Sequence, residues 1–288
     1  MSVQIARAVG TRMLMLAAVA VFAGGVAWGE EAAAETTLER IMRTKEVTVG
    51  TEAAFPPFEF IEDGEIVGYG KDILDYIVET SDWELEQLDL PWQGILPGLL
   101  AEKFDFVATT VSVRPERVTK YAFTVPIAEG TTWTMKRAGD DRIETVEDLS
   151  GIVVGTQLAS AGEAAAKDFA AELEAAGAAP YADLKLYTSY PETYLALANG
   201  EVDVVVQSLP NLAVVVDEQP GVFELVGAIG ELSYMGWVTR PEDTDLRDFL
   251  SEKILEMRDN GYLYELQDKW FGFRMEIPEE GHLPEGAI

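Results

Sequence analysis

The chain contains no cysteine and a single histidine, His282, close to its C-terminal end. Without cysteine there are no disulfides, so the fold must stand on its apolar core, for which 288 residues at 48% hydrophobic content supply ample material for one or two domains. A secreted protein tethered through a lipidated cysteine is also excluded, and the expectation is a released, soluble species. One tail histidine and no thiol leave no convincing transition-metal site, no cofactor ligand set and little nucleophilic chemistry. Basic residues are scarce too: 21 Lys and Arg stand against 51 Asp and Glu, a net charge of −30. Such an excess repels nucleic acid and anionic lipid, and most of it reads as solvated surface. Its size points to a salty habitat, where screening relieves self-repulsion. No internal repeat and no low-complexity linker interrupts the sequence.

The one long apolar run is N-terminal. Arg7 and Arg12 precede an uncharged stretch from Met13 to about Gly29, which closes on Gly24, Gly25, Ala27 and Gly29 before the acidic Glu30 and Glu31. Basic start, apolar middle and small-residue exit are the parts of a secretory signal peptide over residues 1–29, cleaved between about Ala27 and Ala34. The alternative, a membrane anchor, sits poorly with the glycines and with the ~20 apolar residues a span needs.

Beyond a polar leader, strands and helices alternate. Val47–Gly50, Asp105–Thr109, Gly151–Gly155, Leu184–Tyr187 and Val202–Val206 read as short buried strands. Helical spacing is present over Lys71–Glu79, Gly162–Ala176, Pro191–Ala198, Asp243–Asn260 and Tyr262–Phe271, with Pro115 opening a further helix. Thr145-Val146-Glu147-Asp148 is a weak capping box. Strands separated by helices of this length give an α/β fold with parallel sheets covered on both faces. The tail, 274–288, is rich in Pro, Gly and Glu and reads as an irregular strap or a partly mobile end.

Several segments, in order, resemble the family 3 bacterial solute-binding proteins, the polar amino-acid receptors of ABC importers. They begin with Thr51-Glu52-Ala53-Ala54-Phe55-Pro56-Pro57-Phe58-Glu59-Phe60 and Val67-Gly68-Tyr69-Gly70-Lys71-Asp72. Trp92-Gln93-Gly94-Ile95-Leu96-Pro97-Gly98-Leu99, Ser112-Val113-Arg114-Pro115-Glu116-Arg117 and Asp148-Leu149-Ser150-Gly151 follow. Val154–Glu163, Asp203–Val206, Asn260-Gly261-Tyr262 and Lys269-Trp270-Phe271-Gly272 complete the series. The resemblance spans about 38–273 and implies a two-lobed periplasmic binding protein fold (type II). Lobe 1 would be 38–129 with 234–273 and lobe 2 would be 130–233, joined by hinge strands near 127–131 and 231–235. It also implies a monomer in the periplasm that serves a membrane permease, because only an outer membrane retains a released receptor.

The same resemblance assigns a ligand cleft. Arg117 matches the clamp for a ligand α-carboxylate, a role that suits a planar guanidinium able to give two parallel hydrogen bonds to a desolvated acid. Thr110 and Ser112 match positions that supply main-chain groups and a hydroxyl. Gln157, Ser160 and the Ala161 amide match the part of lobe 2 that closes on the carboxylate, where a helix N-terminus favours an anion. Ser160 also suits a plain helix cap. Phe55 and Trp92 match two aromatic walls, while Phe58 and Phe60 are assigned to core packing and Arg114 to the surface. One position departs from the pattern: Ser208 stands where the family carries an aspartate for the ligand ammonium. A neutral hydroxyl there forfeits a charge-assisted bond of about 1.5–3 kcal/mol. Either another carboxylate takes over, Glu52 being the obvious substitute, or the ligand is not a standard α-amino acid; an acid between aromatic walls favours a cationic or delocalised group. The expected ligand is a small zwitterion: a polar or cationic amino acid or a derivative. An ectoine-like compatible solute, a periplasmic cyclohexadienyl dehydratase-like enzyme with Glu52 as its acid, and a free-standing sensor are the rival readings.

Overall fold

Val204–Ser208 shows how the sequence makes sheet. Val204 and Val206 enter one apolar cluster and Val205 another, so the first three residues are all apolar because both faces of the strand are covered. A computed structural model of the protein describes residues 34–288, and the expected signal peptide lies outside the described residues.

Two sheets of matching design carry the fold. The first runs in the order Glu84–Asp89, Glu46–Thr51, Phe106–Ser112, Tyr234–Thr239, Ala122–Phe123, with Ala128–Glu129 also paired to Tyr234–Thr239. Its first three strands are parallel, and Tyr234–Thr239 runs against them. The second sheet has the order Asp183–Tyr187, Val153–Gln157, Val204–Ser208, Thr132–Arg137, Phe223–Ala228. Again three parallel strands are followed by an antiparallel pair. Helices flank both, including Tyr69–Ser81 and Thr244–Asp259 on the first and Ala161–Ala175 and Tyr190–Asn199 on the second. This is the expected α/β, two-lobed architecture.

The chain passes between the sheets twice, and the passages pair with each other. Ala128 and Glu129 pair with Met235 and Tyr234, and Gly130 N–H donates to Ser233 O at 2.7 Å. A Cβ on Gly130 would fall 2.8 Å from Met235 Cγ, so glycine is what lets the two strands cross this closely.

Several elements had no counterpart in the sequence reading, among them Thr37–Thr44, Glu84–Asp89, Trp92–Leu100 and Thr132–Arg137. A small antiparallel sheet is also formed by Ala54–Phe55, Glu59–Glu62 and Glu65–Val67. Leu209–Glu218 is a helix, and Phe223–Ala228 is an edge strand. At the Thr145 turn Asp148 closes back on the backbone, its Oδ2 accepting from Thr145 N–H at 2.9 Å. The tail has no regular element, but it is strapped down. Met275 and Ile277 are each 5% exposed, Met275 N–H donates to Gln267 Oε1, and Ile288 N–H donates to Val118 O.

Candidate functional site

The parallel strands of both sheets end at one cleft. Glu52 directly follows Glu46–Thr51, Ser112 ends Phe106–Ser112, Gln157 ends Val153–Gln157 and Ser208 ends Val204–Ser208. Ligands of open α/β sheets bind beyond the carboxyl ends of the strands, and here two such edges face each other. Between them lies a small, half-enclosed cavity. Glu52, Phe55, Trp92, Thr110, Ser112 and Arg117 line it from one side, and Gln157, Ser160, Ala161 and Ser208 from the other. The residues singled out from the sequence are thus brought together without exception.

Arg117 sits in the short helix Pro115–Val118, started by a proline, and is only 9% exposed. It makes no ion pair among the described residues. Its guanidinium donates to two carbonyls at long range, Ser112 O at 3.2 Å and Ala159 O at 3.4 Å, and lies 5.4 Å from the centroid of the Trp92 ring. Burial, followed by the neighbouring charge of Arg114, pushes its pKa down to about 10. A buried cation with no counter-charge is costly. Arg114 itself is no mere surface residue: it pairs with Glu116 at 2.6 Å and reaches Asp168 in the opposite lobe at 3.5 Å.

Glu52 is 4% exposed and accepts a hydrogen bond from Gln157 Nε2, across the cleft. Burial pushes its pKa up to about 7; the Gln157 bond works against this shift and the charge of Asp89 adds to it. Thr110 Oγ1 is buried and has no hydrogen-bond partner among the described residues. Ser208 Oγ donates to Asn211 Oδ1, and Asn211 Nδ2 donates to Pro56 O at 2.7 Å, so the position of the missing aspartate is tied into another cross-cleft contact. Ser160 caps the helix Ala161–Ala175 by accepting from Glu163 N–H at 3.1 Å, and its own hydroxyl donates to Gln157 O. That cap directs the first turn, with its N–H groups lacking intrahelical acceptors, at the cavity.

The aromatic residues divide their work differently from the expectation. Phe55 packs on Phe58 with centroids 5.5 Å apart, and Phe58 is fully buried. Phe60 is only partly buried and meets Trp270 edge-on at 5.8 Å. Trp92 is more than a wall, since its ring lies beneath Arg117 and its Nε1 donates to Ala159 O at 3.0 Å. Tyr190, which the sequence reading missed, is 4% exposed, lines the cavity and lies 5.7 Å from Phe55. Gly130, Thr132, Gly162 and Met235 complete the lining. A Cβ on Gly162 would sit 2.5 Å from Thr156 Oγ1 and 2.8 Å from Val206 O, so only glycine lets this helix lie so close to the sheet.

Residues 47–273 match the profile of the bacterial extracellular solute-binding proteins, family 3. The chain belongs to that family. Among the family's members, the L-cystine-binding protein TcyJ of Escherichia coli (strain K12) is 26% identical over 240 residues, covering 83% of this chain and 87% of that protein. The L-arginine-binding protein of Pseudomonas aeruginosa is 26% identical over 237 residues, covering 80% of this chain and 89% of its own length. In three dimensions the ancestral amino acid-binding protein AncCDT-1, a precursor of cyclohexadienyl dehydratase, aligns with a TM-score of 0.73 and 25% identity, over 82% of this chain and 100% of that one. These relatives are named as binding proteins, and the cleft described above lies within the matched residues.

Proposed function

We propose that the cleft captures an amino acid with a polar or cationic side chain in the periplasm and presents it to the permease of an ABC importer. The observation that carries this reading is Arg117, a buried guanidinium without a counter-charge that lines a small cavity. A ligand carboxylate would supply the missing charge. Ser112 and Thr110 would complete the grip from lobe 1. The Ala161 turn and Gln157 would cap the ligand from lobe 2. Glu52 would take a cationic group, which the neutral Ser208 cannot. Capture rather than catalysis fits an acid already engaged by Gln157 and relatives named for amino-acid binding. Because one ligand touches both lobes, occupancy favours the closed form, and closure is what a permease can read.

A thermal-shift panel of the proteinogenic L-amino acids, with ornithine, citrulline and cystine, tests the reading, because a ligand bound only by the native state raises Tm. At micromolar affinity the total binding free energy is about −8 kcal/mol, and losing a buried charged partner costs about 2–5 kcal/mol. Arg117→Ala should therefore remove calorimetric binding of the best panel member while leaving the ligand-free melting curve nearly unchanged. Binding retained within about tenfold discards the clamp.

A further inference from the structure

Ala159 is one of the few non-glycine residues with a left-handed backbone, at φ +62°. An L-residue adopts this conformation only when its surroundings impose it. Here the imposition is visible. Ala159 N–H donates to Glu163 Oε2 at 2.6 Å, and Glu163, 9% exposed, is itself held by Lys167 and by the Ser160 cap. With its N–H fixed in this way, the Ala159 carbonyl points out of lobe 2 into lobe 1. There it accepts from Trp92 Nε1 at 3.0 Å and from Arg117 Nη2 at 3.4 Å. Beside it Gln93 Nε2 reaches Leu158 O at 3.3 Å and Thr188 O at 3.2 Å.

From this geometry we infer that Glu163 and the Ala159 peptide form a closure latch: lobe 2 presents a braced carbonyl that grips the indole N–H and the guanidinium of lobe 1 and so orients Arg117 toward the ligand. Glu163 is a positioning residue in this scheme and touches no ligand. The latch exists only when the lobes are together, so it slows release and leaves entry alone. Trp92 then has two separable jobs, because its ring face supports Arg117 while its N–H engages the latch. A phenyl ring keeps the first job and loses the second.

The inference rests on the capture reading above, and the test keeps the two apart. On- and off-rates are measured by stopped flow on the mature protein, with L-arginine as probe, or with the strongest stabiliser of the panel if L-arginine is not it. The latch predicts that Trp92→Phe and Glu163→Ala each raise the off-rate about five- to tenfold with the on-rate within about twofold, the size expected for losing one such bond. Glu163→Gln retains an acceptor for Ala159 N–H and should recover most of the loss. The double variant Trp92→Phe, Glu163→Ala should be no worse than the more affected single one, because both disable the same carbonyl. Additive effects, an unchanged off-rate in Glu163→Ala, or equal losses in the Gln and Ala variants overturn the latch while leaving capture standing. A wild-type protein stabilised by no panel member overturns both.

Discussion

Lowering the pH from about 8 to about 6 should weaken L-arginine binding about tenfold, while L-glutamine binding stays within about twofold. Burial in the closed cleft, where Gln157 meets it from the facing sheet, pushes the pKa of Glu52 up to about 7. A cationic side chain needs the carboxylate, so its binding draws a proton off Glu52 whenever the pH lies below that value. At about pH 8 roughly nine-tenths of Glu52 is ionised and at about pH 6 roughly one-tenth, and apparent affinity for the cation follows that fraction. A neutral amide has no such requirement, since protonated Glu52 offers it a donor. L-Arginine itself changes charge nowhere in this range. The sign reverses for the stability of the closed form relative to the unfolded chain. A carboxyl whose pKa is raised on folding binds its proton more tightly in the folded state, so stability is fully present below the unfolded value and declines as pH rises toward 7. With about 1.4 kcal/mol per pH unit the decline is on the order of 3 kcal/mol. Calorimetry at several pH values on wild type and Glu52→Gln provides the measurement. The variant should bind L-arginine weakly at every pH and lose the step. Two other groups that burial shifts, Glu59 and His282, lie outside the cavity lining, and the variant arm isolates their contributions. An arginine affinity that is flat with pH, or a step that persists in Glu52→Gln, refutes the role given to this acid.

Two further predictions concern the frame. Gly162→Ala pushes a methyl into Thr156 Oγ1 and into the backbone at Val206 O, and should cost about 1–3 kcal/mol in urea unfolding. It should also displace Tyr190, whose hydroxyl lies 3.0 Å from the added Cβ, so ligand affinity falls along with stability. Ile277→Ala hollows the site where the tail enters the core and should cost about 2–5 kcal/mol, whereas a strap that only rests on the surface would show almost nothing.

How much of this could be read in advance depended on which force dominated locally. The strands at Val204–Ser208 and Glu46–Thr51 were legible because buried parallel strands leave short β-branched runs, Val204-Val205-Val206 and Val47-Thr48-Val49. Leu209–Glu218 was not, since Val214-Val215-Val216 is β-branched and favours strand, whereas Pro210 in the first turn and the burial of Leu212 and Val215 support the helix. The three short strands between Ala54 and Val67 carry too few residues for any period to show. Within the cleft, Arg117 and Ser208 were reached through motifs. Tyr190 was not, because an aromatic residue at a helix start has the same local pattern in a core as in a cavity wall. The left-handed Ala159 was equally hidden, because a side chain four residues ahead imposes it rather than its own preference.

The uncompensated charge on Arg117 also explains why closure should wait for ligand. With the lobes apart, water solvates the guanidinium. In the closed arrangement its pKa has fallen to about 10, which at about 1.4 kcal/mol per pH unit places the cost of excluding that water on the order of 3 kcal/mol. Such a penalty depresses the closed population by two to three powers of ten. Cross-cleft bonds such as Trp92 to Ala159 and Asn211 to Pro56 offset part of it, at about 0.5–1.5 kcal/mol each. A ligand carboxylate removes the penalty at its source and turns it into a charge-assisted bond. On the proposed reading the same group would recognise the ligand and also weaken closure of the empty cleft. Replacing Arg117 with a neutral residue of similar length, as in Arg117→Met, should shift the ligand-free protein toward the compact form while binding is lost. Small-angle scattering would show the smaller radius of gyration, and an unchanged radius would mean that some other group holds the lobes apart.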